Sequence, residues 1–355
     1  MTAGWRASST PPPRPTRRSS RTHTEGTPDM AQTDTLSIPA SQLTRGSFTR
    51  YLWQSSTVIA LVVLIAVFTI AGRGVFLTPG NLTNIMNQVA ILTIIAAAQT
   101  VVMVVGDFDL SVGTTATLSG ASAAALMLGG VPVPLAILGG LGVGTLIGAI
   151  NGVLVAFLGL SAFVATLATM TTVAGLALIV TNGTTLYGMP DSFALIGQMR
   201  INGIPMPVIY AVLVSVIVWL VLRFTTVGRR WYAIGGNAEV ARLSGVAVRP
   251  TRFLAFTVAG FLSALGGIVL VSRLTSAGSS TANDLMMFAV AAVFLGMTLL
   301  KSGQANIGGT LIGVAIIGIV QNGLNIVGVN TYIQQVLIGI IIVAAVLLSA
   351  MKSRD

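Results

Sequence analysis

Two carboxylates stand two residues apart in VVMVVGDFDLSVG, residues 101–113, at the end of a nearly unbroken apolar run. Asp107 and Asp109 are two of only nine acidic residues in the chain. Acids in such a setting suit proton exchange, cation binding or the capping of backbone N–H groups. A carboxylate at the centre of a spanning helix costs about 2.5–3.5 kcal/mol on insertion scales. The pair therefore belongs near a helix end, in a water-filled cavity or against protein donors. Gly106 and Gly113 bracket it and allow a broken helix near 106–113. Asp109 or Ser111 then N-caps a helix beginning near residue 110. Residues i and i+2 share a side of an extended chain but not of a helix. A break between half-helices thus offers a solute or an ion a carboxylate-lined path. Asp107 is expected to face solvent or a cavity without a defined role.

Other chemistries are narrowed by what the chain holds. It has no cysteine, and its one histidine is His23, in a polar tail. A histidine base or a His-ligated metal in the membrane is thereby excluded. Amides recur in or near apolar runs at Gln99, Asn151, Gln321, Asn322 and Asn325. Such groups bridge helices or contact a polyhydroxylated solute. A nucleotide-binding loop G-x-x-x-x-G-K-[ST] needs a glycine before its lysine. Lys301 follows Leu300 and Lys352 follows Met351, so that loop is missing. No cofactor is expected on this chain, and any ATP that drives it is hydrolysed by a partner.

The elements that position these residues follow from composition. The 355 residues are 54% hydrophobic and 8% charged, against about 25% charged in soluble domains. The mean hydropathy is +0.90. These values describe an all-α polytopic membrane protein. Apolar runs at 53–72, 89–106, 112–130, 133–157, 160–181, 207–224, 253–272, 285–300, 307–328 and 332–350 give about ten transmembrane helices. Ten spans put both termini on one side. Sixteen of the nineteen Lys and Arg residues then lie on that side, leaving Arg73, Arg200 and Arg273 opposite. The positive-inside rule makes the richer side cytoplasmic. The net charge of +10 resides in loops and termini, so no nucleic-acid partner is expected.

GTLIG occurs at 144–148 and again at 309–313, each followed by Asn-Gly, at Asn151-Gly152 and Asn322-Gly323. Five spans separate the copies, so they run in opposite directions, as in an inverted repeat. Residues 1–50 are polar and rich in Arg, Ser, Thr and Pro, a composition that reads as a disordered cytoplasmic tail. Residues 51–350 form the membrane domain, and 351–355 a cytoplasmic C-terminus. The one sizeable inside loop is 225–252. In it Asn237 is placed to N-cap a short helix, Ala238–Leu243, that stops at Gly245. Glu239 near its start and Arg242 near its end suit the helix dipole. The element reads as a docking surface.

Four stretches are similar to one family. GDFDLSVG (106–113) resembles the G-x-I-D-L-S-V-G signature of permease subunits of ATP-binding-cassette sugar importers of the ribose, xylose and arabinose type. AIGGNAEVARLSGVAV (233–248) resembles that family's cytoplasmic coupling loop. GAINGVLVAFLGLSAFVATLATM (148–170) and NIGGTLIGVAIIGIVQNGLNIVGV (306–329) resemble two of its span motifs. The match runs in order over roughly residues 50–350. It places Asp109, Ser111 and Gly113 in the signature and Asn151 and Asn322 among polar positions within spans, and Asn325 joins them as a further candidate pathway amide. Asp107 stands where the signature often has Gly or Glu. The resemblance matches Asn237, Ala241, Ser244 and Gly245 to the loop that contacts ATPase subunits, and the capped docking helix adds Ala238, Glu239, Arg242 and Leu243 to the same coupling surface.

It also implies a second copy of the permease, ATP-binding cassette subunits that use ATP and Mg, and an extracytoplasmic sugar-binding protein. The setting is the bacterial cytoplasmic (inner) membrane and its lipid. The alternative is an ion-coupled secondary transporter using Asp107 or Asp109. A start of translation at Met30 is also expected, with residues 1–29 absent from native protein. N-terminal sequencing checks this: a native N-terminus at Met30 is the expected result.

Overall fold

The computed structural model describes residues 61–299, 303–330, 332–337, 339, 340 and 343. The expected tail 1–50, the start of the first span, most of the last span and the C-terminus lie outside the described residues. Within them the chain is helical almost throughout. Helix α1 is Leu61–Ala71. It is followed by α2 (Pro79–Val104), α3 (Val112–Leu128), α4 (Val133–Ala156) and α5 (Ala162–Thr181). A short α6 (Asp191–Gln198) precedes α7 (Met206–Phe224), α8 (Thr226–Gly236) and α9 (Ala238–Leu243). Then come α10 (Val248–Leu274), α11 (Leu285–Leu299) and α12 (Ile307–Ile326). Two-residue strands make small antiparallel pairs. β1 (Leu186–Tyr187) pairs with β4 (Ser276–Ala277), and β2 (Arg200–Ile201) pairs with β3 (Ile204–Pro205).

Six helices, α2, α4, α5, α7, α10 and α12, are long and apolar enough to cross a membrane, and α1, α3 and α11 are shorter apolar helices. They coincide with the expected spans except at two starts. Helix α2 begins at Pro79 rather than residue 89. Its first turns carry Asn81, Asn84, Asn87 and Gln88, which dilute hydropathy without breaking a helix, and Pro79 suits the first turn. Helix α10 begins at Val248 rather than 253, taking in Pro250 within its first turn. The break expected near 106–113 is the connection between α2 and α3.

Helices α2 and α10 form the centre. In each, 72% of the apolar window is buried, against 28% in α4 and α5. Helix α10 packs on α2, α3, α4 and α6. Lipid is as apolar as leucine, so burying apolar side chains does little to join spanning helices; close backbone approach and polar contacts hold them together. Both copies of the repeat supply that approach. Gly144 and Gly148 of α4 sit against Gly260 of α10, where a Cβ on Gly148 would lie 2.9 Å from the Gly260 Cα. Gly309 and Gly313 of α12 meet Gly296 and Ala292 of α11, with a Cβ on either falling 2.8 Å from the facing carbonyl carbon.

The directions also agree with an inverted repeat. Gly140, Gly144, Gly148 and Gly152 of α4 face Ile268, Ala264, Gly260 and Phe253 in turn. Helix α4 therefore runs antiparallel to α10, toward the α9 end. Helix α12 starts at the α8 end, where Tyr232 reaches Ala305, and runs away from it.

Gly148→Ala is expected to lower the unfolding midpoint in detergent, at an overpacking cost of about 1–3 kcal/mol. Gly142→Ala, with nothing within 4 Å of its added methyl, is expected to leave the midpoint unchanged or raise it slightly. Equal midpoints for the two variants would contradict the packing account.

Candidate functional site

The turn from α2 to α3 spans Val105–Ser111 and carries both aspartates. Gly106 adopts φ +89°, a conformation that favours glycine. A Cβ there would sit 3.3 Å from the Gly235 Cα, so the end of α2 rests on α8. Asp107 is 6% exposed. Its two carboxylate oxygens accept from Nε and Nη2 of Arg252 near the start of α10. This corrects the expectation of an Asp107 exposed to solvent or a cavity. Its partner lies 145 residues away in the chain, and Arg252 reads in sequence as one more basic loop residue.

Asp109, 2% exposed, is held differently. Its Oδ1 accepts from the Ser111 backbone N–H at 2.8 Å and the Ser111 hydroxyl at 2.6 Å. Asn151 Nδ2 of α4 donates to the same hydroxyl at 2.8 Å. The Leu110 N–H donates to Thr166 Oγ1 of α5 at 3.1 Å. The turn is thus tied to α4, α5 and α10. The helix starts at Val112, and Ser111, at its N-cap, makes no side-chain cap bond. The expected capping of the first helical turn by Asp109 or Ser111 is therefore corrected: Asp109 closes a local turn one residue ahead of the helix. Gly113 lies behind it, where a Cβ would be 2.7 Å from the Asn283 carbonyl oxygen.

The second part of the site is the α8–α9 element. Thr225 caps α8, accepting from Gly228 N–H at 3.1 Å. Trp231 is 1% exposed and donates through Nε1 to the Thr251 carbonyl of α10 at 2.9 Å. Tyr232 donates to the Ala305 carbonyl before α12 at 3.1 Å. Gly235 abuts the Val104 carbonyl of α2. Helix α8 is thus seated on three helix ends at once.

Helix α9 hangs from it as expected. Asn237 Oδ1 accepts from the Glu239 and Val240 N–H groups, both at 3.0 Å. Gly245 ends the element at φ +84°. Arg242 and Glu239 pair at 2.5 Å on the solvent side. The hydrogen bond from Arg242 holds the Glu239 carboxyl below its ordinary value. That gain is present at neutral pH and is lost as pH falls through the lowered value. It adds little, because both groups are exposed. Ala241 packs inward, while Val240 and Leu243 stand 57% and 74% exposed. Helix α8 did not emerge from the sequence reading. Its signal was Thr225 followed by Trp231 and Ile234, which share its buried face.

The remaining predicted residues are not gathered here. Asn322 of α12 exchanges two 2.9 Å hydrogen bonds with Asn81 of α2, near the opposite end of the bundle. Asn325 accepts from Gln334 at 2.8 Å. Thr100 and Thr310 join α2 to α12 at 2.8 Å. Asn151 therefore belongs with Asp109 and Ser111, whereas Asn322 and Asn325 form a separate polar seam. Among the described residues no group of three or more His, Cys, Asp or Glu side chains is placed to hold a metal ion.

Comparisons with known proteins agree with this layout. A family model described as branched-chain amino acid transport system / permease component matches residues 81–346. The ribose import permease protein of Bacillus subtilis is 43% identical over 297 residues, covering 83% of this chain and 92% of that protein. The D-allose transport system permease protein of Escherichia coli is 34% identical over 326 residues, 92% of this chain and 100% of that protein. The L-arabinose ABC transporter permease protein of Azospirillum brasilense is 32% identical over 303 residues, 85% and 89% of the two chains. No solved structure matches the chain.

Removing one member of a buried ion pair leaves an uncompensated charge and costs about 3–5 kcal/mol. Asp107→Ala is expected to fall near the lower bound, because the Arg252 side chain is 30% exposed. Asp107→Ala combined with Arg252→Met is expected to be less destabilised than the sum of the two single variants, as read from unfolding midpoints. Strict additivity would contradict a coupled pair.

Proposed function

The chain belongs to the branched-chain amino acid transport system / permease component family, and on that premise we propose that it is the membrane-spanning permease of an ATP-driven importer for a monosaccharide. It moves solute rather than catalysing covalent chemistry. The observation that carries the reading is the α8–α9 element, which is anchored to α2, α10 and the start of α12 while offering Val240 and Leu243 to a partner. Support for the solute class comes from the relatives named for ribose, allose and arabinose.

In this reading two permease chains assemble in the bacterial inner membrane with ATP-binding cassette subunits and an extracytoplasmic sugar-binding protein. ATP and Mg are used by the cassettes alone. Both termini are cytoplasmic, as sixteen of nineteen basic residues on that side support. Closure of the cassettes moves α9. Helix α8 passes the movement to the ends of α2, α10 and α12 through Gly235, Trp231 and Tyr232. The bundle then alternates access between its two ends.

The ion-coupled alternative asks Asp107 or Asp109 to bind and release a cation. Both carboxylates are engaged, Asp107 by Arg252 and Asp109 by Ser111.

Reconstitution tests the proposal. Vesicles holding the chain, the cassettes and a loaded binding protein are expected to take up sugar only with ATP. Gradient-driven uptake by the chain alone would overturn the reading. Gly245→Pro places a residue fixed near φ −65° where the chain has φ +84°. The variant is expected to insert normally and to abolish transport-coupled stimulation of ATP hydrolysis. Unchanged stimulation would count against the coupling role of α9.

A further inference from the structure

At the end of α10 remote from α9, a cavity of about 220 Å³ is lined by Gln88, Arg273, Gln321, Asn325 and Gln334, together with apolar side chains of α2 and α10. Helix α10 has 27 residues, so at about 1.5 Å per residue this cavity lies some ~40 Å from the coupling element. Arg273 is only half-buried there. Its carbonyl accepts from Gln198, but among the described residues its guanidinium has no hydrogen bond or ion pair. A permanently charged group held partly out of water without a partner destabilises the fold. Gln88 and Gln321 likewise make no side-chain hydrogen bond among the described residues. Gln334 is committed to Asn325 and to the Val329 carbonyl, both at 2.8 Å, and this bracing fixes the rim.

The chemistry of the lining selects a ligand. Amides both donate and accept, as sugar hydroxyls do. A guanidinium presents a rigid fork of donors that matches two neighbouring oxygens. Leu270, Ile91 and Leu92 give the C–H face of a ring an apolar wall. The volume equals roughly seven waters at about 30 Å³ each, which suits one small ring with its hydroxyls.

We propose that this pocket is where the chain itself contacts its solute, a neutral monosaccharide whose vicinal hydroxyls bridge to Arg273 while Gln88 and Gln321 take further hydroxyls. The assignment rests on the importer reading above. It places solute contact on the Asn325 side of the polar seam. Asn322, paired with Asn81, serves as a helix bridge.

The test is saturation-transfer NMR on the full chain in lipid nanodiscs with D-ribose, D-allose, L-arabinose and D-gluconate. Saturation of the neutral sugars is expected with wild type and with Arg200→Gln, an exposed arginine outside the pocket. Arg273→Gln is expected to weaken binding at least about tenfold, the scale of one lost charge-assisted contact, and Gln321→Ala, on a different helix, about fivefold, the scale of one lost neutral hydrogen bond. Silent spectra with every neutral sugar, unchanged binding in both variants, or a preference for gluconate would overturn the pocket. Uptake by the complete transporter is measured alongside. ATP-driven uptake with an unaffected Arg273→Gln rejects the pocket and leaves the importer standing, whereas failure of ATP-driven uptake in wild type rejects the importer itself.

Discussion

Asp107 and Arg252 meet where the chain reverses between α2 and α3, and the arrangement of the α9 end follows from that contact. A turn set against apolar helices must leave neither a charge nor a backbone amide unpaired. The bidentate pair neutralises both charges and pins the turn to the start of α10. The Asn151–Ser111–Asp109 chain and the Thr166 bond pin the same turn to α4 and α5, while Asn151 Oδ1 has no partner among the described residues. Gly106 then brings the turn against Gly235, so that α8 lies on a surface fixed from four helices. Through these contacts α8 touches the ends of the spans directly.

The bundle above this turn is held by small residues and single hydrogen bonds rather than by large apolar interdigitation. Glycine seams join α4 to α10 and α12 to α11, and isolated amide and hydroxyl pairs join α2 to α12. Each such contact is modest in a membrane, about 0.6 kcal/mol on average for a polar pair. Helix pairs held in this way can slide or reseat without passing through a state of high energy. The seams run in opposite directions in the two repeat copies, as in the inverted repeats of many transporter folds. Gln99, fully buried in α2, has neither its oxygen nor its nitrogen paired among the described residues.

Much of this was legible in the chain because the signals are local. Hydropathy gave the spans, and the helical starts at Val133, Ala162 and Met206 fall within two residues of expectation. Asn237 and Gly245 announced the six-residue α9 through cap chemistry that needs only local sequence. The repeated GTLIG announced the opposed directions of α4 and α12. What stayed hidden depends on distant residues. Asp107 looked idle because Arg252 is far off in sequence. Helix α8 was masked because its anchors, Thr251 and Ala305, belong to other elements. The start of α2 was hidden because Asn81 looks like a loop residue until Asn322 is seen to satisfy it.

The central claim is that α9 is the face on which ATPase subunits act. Site-specific photocrosslinking in the membrane tests it most directly. A photoreactive residue replaces Leu243, 74% exposed on α9, and in a parallel protein Val212, 58% exposed on α7. The account predicts a covalent adduct between position 243 and an ATP-binding cassette subunit, and none from position 212. Adducts of position 243 with lipid alone, in a transporter that still takes up sugar, would contradict it.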